Sequence, residues 1–121
     1  MATHNSQDLV DGVANGTISK GQFVKYASGG WVACSSAGEL ADGIAFSDAV
    51  ATAAVCVQIG GKVIYLCGGT GIADGAKITT TAGGLGVTAA TTNLPRLKAL
   101  GACAANAYGE ALWESDVTVL P

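Results

Sequence analysis

Four cysteines, Cys34, Cys56, Cys67 and Cys103, and a single histidine, His4, are the residues of this chain best equipped for metal or thiol chemistry. A structural zinc site wants closely spaced cysteine pairs or cysteines backed by histidines. No CxxC occurs here, so a site would have to gather its ligands from four separate segments. Cysteine inside an apolar strand pattern behaves as a small buried hydrophobe, and a product of the cytoplasm folds among reduced thiols. The residues therefore read as free, packed cysteines, with disulfides as the alternative. His4 has no orienting partner in a terminal segment, which reads as plain surface rather than catalysis.

The run Gly68-Gly69-Thr70-Gly71-Ile72-Ala73-Asp74-Gly75 invites comparison with a phosphate-binding loop. It fails in detail, because Asp74 stands where the third glycine of GxGxxG belongs, no GK[ST] follows, and the next segment is strand-like and supplies no helix N-terminus. A turn is the better reading, with Asp74 bonding backbone donors and Gly75 at positive φ. The nine carboxylates are dispersed and form neither a calcium loop nor an acid–base pair. Asp42, Asp48 and Asp74 sit at turns, where a short carboxylate bonds local backbone. Trp31 and Trp113 have the rings to stack on a sugar or a base, or to fill a core or an interface in a chain with so little aromatic area. No catalytic group, metal or cofactor is expected from these residues.

The elements that would have to position any site are short strands. Phe23–Tyr26, Trp31–Cys34, Gly43–Phe46, Val55–Ile59, Val63–Leu66 and Lys77–Thr81 are each rich in β-branched and aromatic residues and bounded by Gly, Ser, Asp or Asn. That cadence predicts a mainly β chain, a small single-domain barrel or sandwich of short antiparallel strands. Val55, Val57 and Ile59 share one face of a half-buried strand. Lys62–Cys67 is apolar on both faces, so one face is expected to join the core and the other to meet a subunit. Gly60-Gly61 between them fits a two-residue hairpin turn. Residues 82–93 are small and repetitive and read as a long loop or weak strands. Leu97–Ala107 is compatible with helix or strand, with strand preferred. Asn106–Asp116 is expected to hold a turn, and Val117–Leu120 a closing strand.

Residues 1–15 show little periodicity and read as an extended N-terminal arm with an apolar touch at Leu9, Val10 and Val13, ahead of a β-rich domain over 16–121. Nothing near Met1 resembles a secretion signal, and no apolar run is long enough for a membrane helix. The chain is thus expected to be made in the cytoplasm, with no membrane partner. The 121 residues include 18 glycines and are 50% hydrophobic, but only 6% aromatic and 12% charged. Alanine-weighted hydrophobicity makes a thin core, and a surface this poor in charge suits broad protein contact. A formal net charge of −3 with scattered lysines argues against a nucleic-acid partner.

The series Gly43-Ile44-Ala45 with Asp48-Ala49, Val55-Cys56-Val57, Gly61-Lys62-Val63, Ile72-Ala73-Asp74-Gly75-Ala76-Lys77-Ile78, Leu100-Gly101-Ala102 and Val117-Thr118-Val119-Leu120 resembles small head-decoration, or capsid cement, proteins of tailed bacteriophages. The resemblance spans roughly residues 16 to 120 and consists of strand and turn types. It implies a β-rich homotrimer on the outer surface of an expanded capsid in the virion, bridging subunits of the major capsid protein, with no enzymatic activity. Thr3, His4, Asn5, Leu9 and Val10 in the arm, with Trp31 and Trp113, are then the candidate capsid or subunit contacts. Two other functions compete. One is a small-molecule or carbohydrate-binding β-module built on the tryptophans and glycine loops. The other is a biotinyl- or lipoyl-like carrier presenting Lys62, although the flanking residues such a carrier needs are absent.

Overall fold

A computed structural model describes residues 7–90, 93 and 95–114. The strands are β1 (Gln7–Val13), β2 (Phe23–Ala27), β3 (Gly30–Ala33), β4 (Gly43–Ala45), β5 (Ala54–Leu66), β6 (Lys77–Thr80), β7 (Gly86–Thr88), β8 (Leu97–Ala99) and β9 (Tyr108–Trp113). All their pairings are antiparallel, in the order β3-β2-β4-β5-β9-β8-β6-β7, with β1 also on β5. Among the described residues there is no helix, and so none able to cross a membrane. The expected all-β architecture is what the chain adopts.

β5 is the axis of the fold, and it departs from the sequence reading. Val55–Ile59 and Lys62–Leu66 are one continuous 13-residue strand, not a hairpin folded at Gly60-Gly61. The strand instead bulges at Ile59, just before the two glycines: Asp8 lies opposite Gly60 and Leu9 opposite Gln58, leaving Ile59 unpaired, and Gly61 has φ +73°. A bulge flips the side-chain alternation. Val55 and Val57 point inward, Ile59 turns out to solvent, and Gln58 is buried in its place. Gln58 then serves the strand itself, donating to Lys62 O at 3.2 Å and accepting from Ile64 N–H at 3.5 Å.

The first part of β5 pairs with β1 and β4, the second with β9. Each half of the sheet curls until its ends meet, β3 reaching the end of β1 through an Ala14–Trp31 bridge and β7 reaching Cys67 through Gly86. Curling gives two cores instead of one. Val24, Trp31, Ala45, Val55 and Val57 fill the first, whereas Phe23, Ile44, Val63, Tyr65, Ile78 and Leu97 fill the second. Neighbours along β2 and β4 thus serve opposite cores, which is why these short strands are apolar on both faces. A methyl at Gly43 would run into Val57 Cγ1 and Gln58 O where β4 crosses β5.

The remaining differences have similarly local causes. The two-residue turn lies at Ser28-Gly29, both at positive φ (55° and 81°), between Ala27 and Gly30, as a primed hairpin requires. Of Leu97–Ala107 only Leu97–Ala99 is strand, after which Gly101 (φ +137°) turns the chain. Asn106–Asp116 does not hold merely a turn, since Tyr108–Trp113 is the full strand β9. Its inward positions are Gly109, Ala111 and Trp113, while Tyr108 and Leu112 face out, so the usual apolar-inside alternation is inverted. Residues 82–93 do contain a weak strand, β7, closed by Thr81 Oγ1 accepting from Gly83 and Leu85 N–H. The Asp74-Gly75 turn forms with Gly75 at φ +79°. The expected strand Val117–Leu120 lies outside the described residues.

Candidate functional site

Most of the cysteines and two of the turn carboxylates are taken up by the fold. Cys34, Cys67 and Cys103 are buried and free, and Cys56 is half-buried and free. Burial, helped by the negative charge of Glu39, pushes the Cys34 thiol up to about 12, and burial likewise raises Cys56 and Cys67. A thiol raised in this way is a poor nucleophile and a poor ligand at neutral pH. Among the described residues no three of His, Cys, Asp and Glu converge on a point where a metal ion could sit. Asp42 Oδ2 accepts from Tyr26 N–H at 3.0 Å and Asp48 Oδ1 from Lys20 N–H at 2.6 Å. These carboxylates do bond backbone, but across 16 and 28 residues, fastening loops to each other instead of shaping their own turns.

Of the candidate contacts, Thr3, His4 and Asn5 lie outside the described residues. From Gln7 the segment read as an arm is strand β1, hydrogen-bonded to β5. Leu9 is on its outer face, 43% exposed, together with Val13. Val10 turns inward and packs against the first core. Trp31 is only 7% exposed, its indole lying so close to Gly12 that a Cβ there would stand 2.6 Å from it. Trp113 is half-buried against the second core, with the Arg96 guanidinium 4.8 Å above its ring. The two tryptophans thus belong to different cores and form no common platform.

A surface the sequence did not announce is more distinctive. Register places Tyr108 beside Leu66, Glu110 beside Ile64, and Leu112 beside Lys62 on the outer face of β5 and β9. Lys98 of β8 is the next neighbour of Leu112, and Lys77 of β6 the next neighbour of Lys98. Leu100, whose N–H bonds Glu110 O, extends the apolar area. Tyr108, Leu112 and Leu100 are 54%, 45% and 47% exposed, and Ile64 and Leu66 are half-buried between them. At one end the loop before β2 closes in, with Lys20 Nζ 5.7 Å from the centre of the Tyr108 ring. Four of the chain's six cationic residues, Lys20, Lys62, Lys77 and Lys98, therefore border one apolar sheet face. Glu110 pairs with Lys62 at 3.1 Å and Glu114 with Lys77 at 2.6 Å.

An open hollow of about 390 Å³ is lined by Thr17, Ile18, Ser19, Asp48, Ala49 and Val50. Its one carboxylate is already engaged by the Lys20 backbone, and neither tryptophan lines it.

No protein-family model matches the chain, and no curated protein matches it. Among solved structures, the fold is similar to that of the head fiber gp8.5 N base in bacteriophage phi29. The TM-score is 0.73 over 89% of this chain and 94% of that chain, at 13% sequence identity. At that identity the likeness is one of fold.

Proposed function

We propose that this chain is a non-enzymatic structural protein of a phage virion. In this reading it sits on the outer surface of the head as a homotrimer and bridges subunits of the major capsid protein. The observation that carries the reading is the fold shared, nearly end to end, with a phage head-fiber base. The surface chemistry supports it. Cys34, Cys67 and Cys103 are buried and Asp42 and Asp48 are engaged by backbone, while large apolar side chains stand uncovered on two sheet faces, Leu9 and Val13 on one and Tyr108 and Leu112 on the other. Uncovered apolar faces on a small domain mark contact with other proteins. Two short-stranded halves with small cores also gain stability from assembly, since anything that binds only the folded state favours it.

Cosedimentation of the purified protein with expanded phage heads tests the proposal, read alongside the solution mass. Expected are saturable binding to heads and a mass near three times 11.9 kDa. A protein that neither binds heads nor changes their resistance to heat and chelators would refute it.

A further inference from the structure

We propose that the outer face of β5, β9 and β8 is the docking face, and that its partner is a protein surface presenting carboxylates around an apolar centre. This rests on the virion reading and names the chemistry of the shell surface it meets.

The apolar part of the face is made by Ile64 and Leu66 on β5, Tyr108 and Leu112 on β9, and Leu100 just past β8, with strands about 4.8 Å apart and about 3.3 Å between successive residues; Glu110 sits among them, opposite Ile64, with its charge held by Lys62. An aromatic and aliphatic centre with a charged rim is the anatomy of a protein–protein contact. The rim supplies the sign. Among the described residues of β5, β6, β8 and β9 and the residue after β9, Lys62, Lys77 and Lys98 border this face with Glu110 and Glu114, and Lys20 joins them from the loop before β2, where Asp48 bonds its backbone, on a chain of net charge −3. Lys62 and Lys77 are matched by those glutamates. Lys98 has no carboxylate partner among the described residues, and it stands directly opposite Lys77. Like charges facing each other across a strand pair work against folding, and among the described residues Glu114 offsets Lys77 while no carboxylate offsets Lys98. A carboxylate from outside would relieve that repulsion.

Other occupants fit less well. A second copy meeting this face about a two-fold axis would bring the lysines together, and a three-fold contact, which pairs two different patches, is distinguished by the oligomer readout of the test below. A nucleic-acid backbone would meet two glutamates and a largely apolar centre where it needs a basic stripe.

The test measures binding to expanded heads for the wild type, Lys98→Glu, Lys62→Glu/Lys98→Glu and Leu112→Ser, with Ala37→Glu on a distant exposed loop as the charge control. Lys98→Glu should weaken binding about fivefold to tenfold at low salt, the double variant more, and raised salt should weaken the wild type while narrowing these differences. Leu112→Ser should weaken binding at all salt concentrations, and Ala37→Glu should bind like wild type. Unchanged melting profiles and solution masses would show that the variants still fold and assemble. If the wild type does not bind heads, the virion reading fails. If it binds and the face variants bind within twofold of it, the docking face is refuted and the virion reading stands. Dissociation of the oligomer by Lys98→Glu or Leu112→Ser would assign the face to a second copy and overturn the proposal. So would a lysine-dependent affinity for DNA in place of heads.

Discussion

Replacing Tyr65 by phenylalanine should make this protein more stable. Tyr65 is fully buried in the second core, its ring edge-on to Phe23 at a centroid distance of 6.5 Å. Glycines of two strands make room for it: a Cβ at Gly86 would stand 2.7 Å from the ring, and one at Gly109 would stand 2.9 Å from the hydroxyl oxygen. Among the described residues no oxygen or nitrogen partners that hydroxyl, and the contact it has is with the Cys103 thiol, a weak acceptor. A buried hydroxyl without a partner costs about 1–3 kcal/mol. Removing it leaves a void the size of one oxygen atom, worth only about 0.3 kcal/mol at the cavity rate for core truncations. Tyr65→Phe should therefore gain about 1–2 kcal/mol. With unfolding entropy near 2 cal/mol/K per residue, that is a rise in Tm of roughly 4–8 °C. Urea denaturation at pH 7 under reducing conditions, at one fixed protein concentration, measures the difference. A loss of 1 kcal/mol or more would refute the reasoning, because it would mean that the hydroxyl makes a real bond. Gly86→Ala should move stability the other way by about 1–3 kcal/mol, by driving a methyl into the same ring.

Alkaline pH should weaken the fold before it affects any function. The Cys34 thiol is raised from 9.0 to about 12, so its contribution is complete below pH 9 and is lost as pH rises toward the folded value. The loss should approach roughly 1.4 kcal/mol per pH unit in that window, and Cys34→Val should flatten the profile measured by urea melts from pH 8 to 10.5. A thiol reagent should label Cys56 in the native protein, faster as pH rises because burial and Asp11 hold its thiol up, and reach Cys34, Cys67 and Cys103 only on unfolding; fast native labelling of a second site, read by intact mass, would contradict the packing. Deleting residues 1–6 should leave the melting temperature within a few degrees of wild type, since every described strand keeps its partners. Deleting 1–14 should abolish the cooperative transition, because it strips β1 from β5 and Ala14 from the first core, and circular dichroism on heating distinguishes the two.

Much of this architecture could be read from residue order alone, and the failures share a cause. β2, β3, β4 and β6 were legible because β-branched residues between turn formers have few alternatives. Gly60-Gly61 in a sequence suggests reversal and so divides β5, whereas here the pairing of β1 across the bulge holds the chain straight. β9 is hidden from pattern reading because glycine and alanine face inward, Gly109 against Tyr65, leaving the larger Tyr108 and Leu112 outside. The lysine-bordered face was invisible for a related reason. Lys62, Lys77 and Lys98 are distant in the chain and look scattered, and only cross-strand register sets them in one row with Leu112. The cysteine reading from strand context agrees with the free, largely buried thiols.

The undivided course of β5 through both curled halves has a mechanical corollary. Force applied to one half travels to the other along peptide bonds, not only across a seam of hydrogen bonds that could unzip. The halves are thereby obliged to yield together, and neither is separable as an expressible fragment, since cutting at Gly60 would leave each with an open flank. An arrangement of this kind resists peeling from either end.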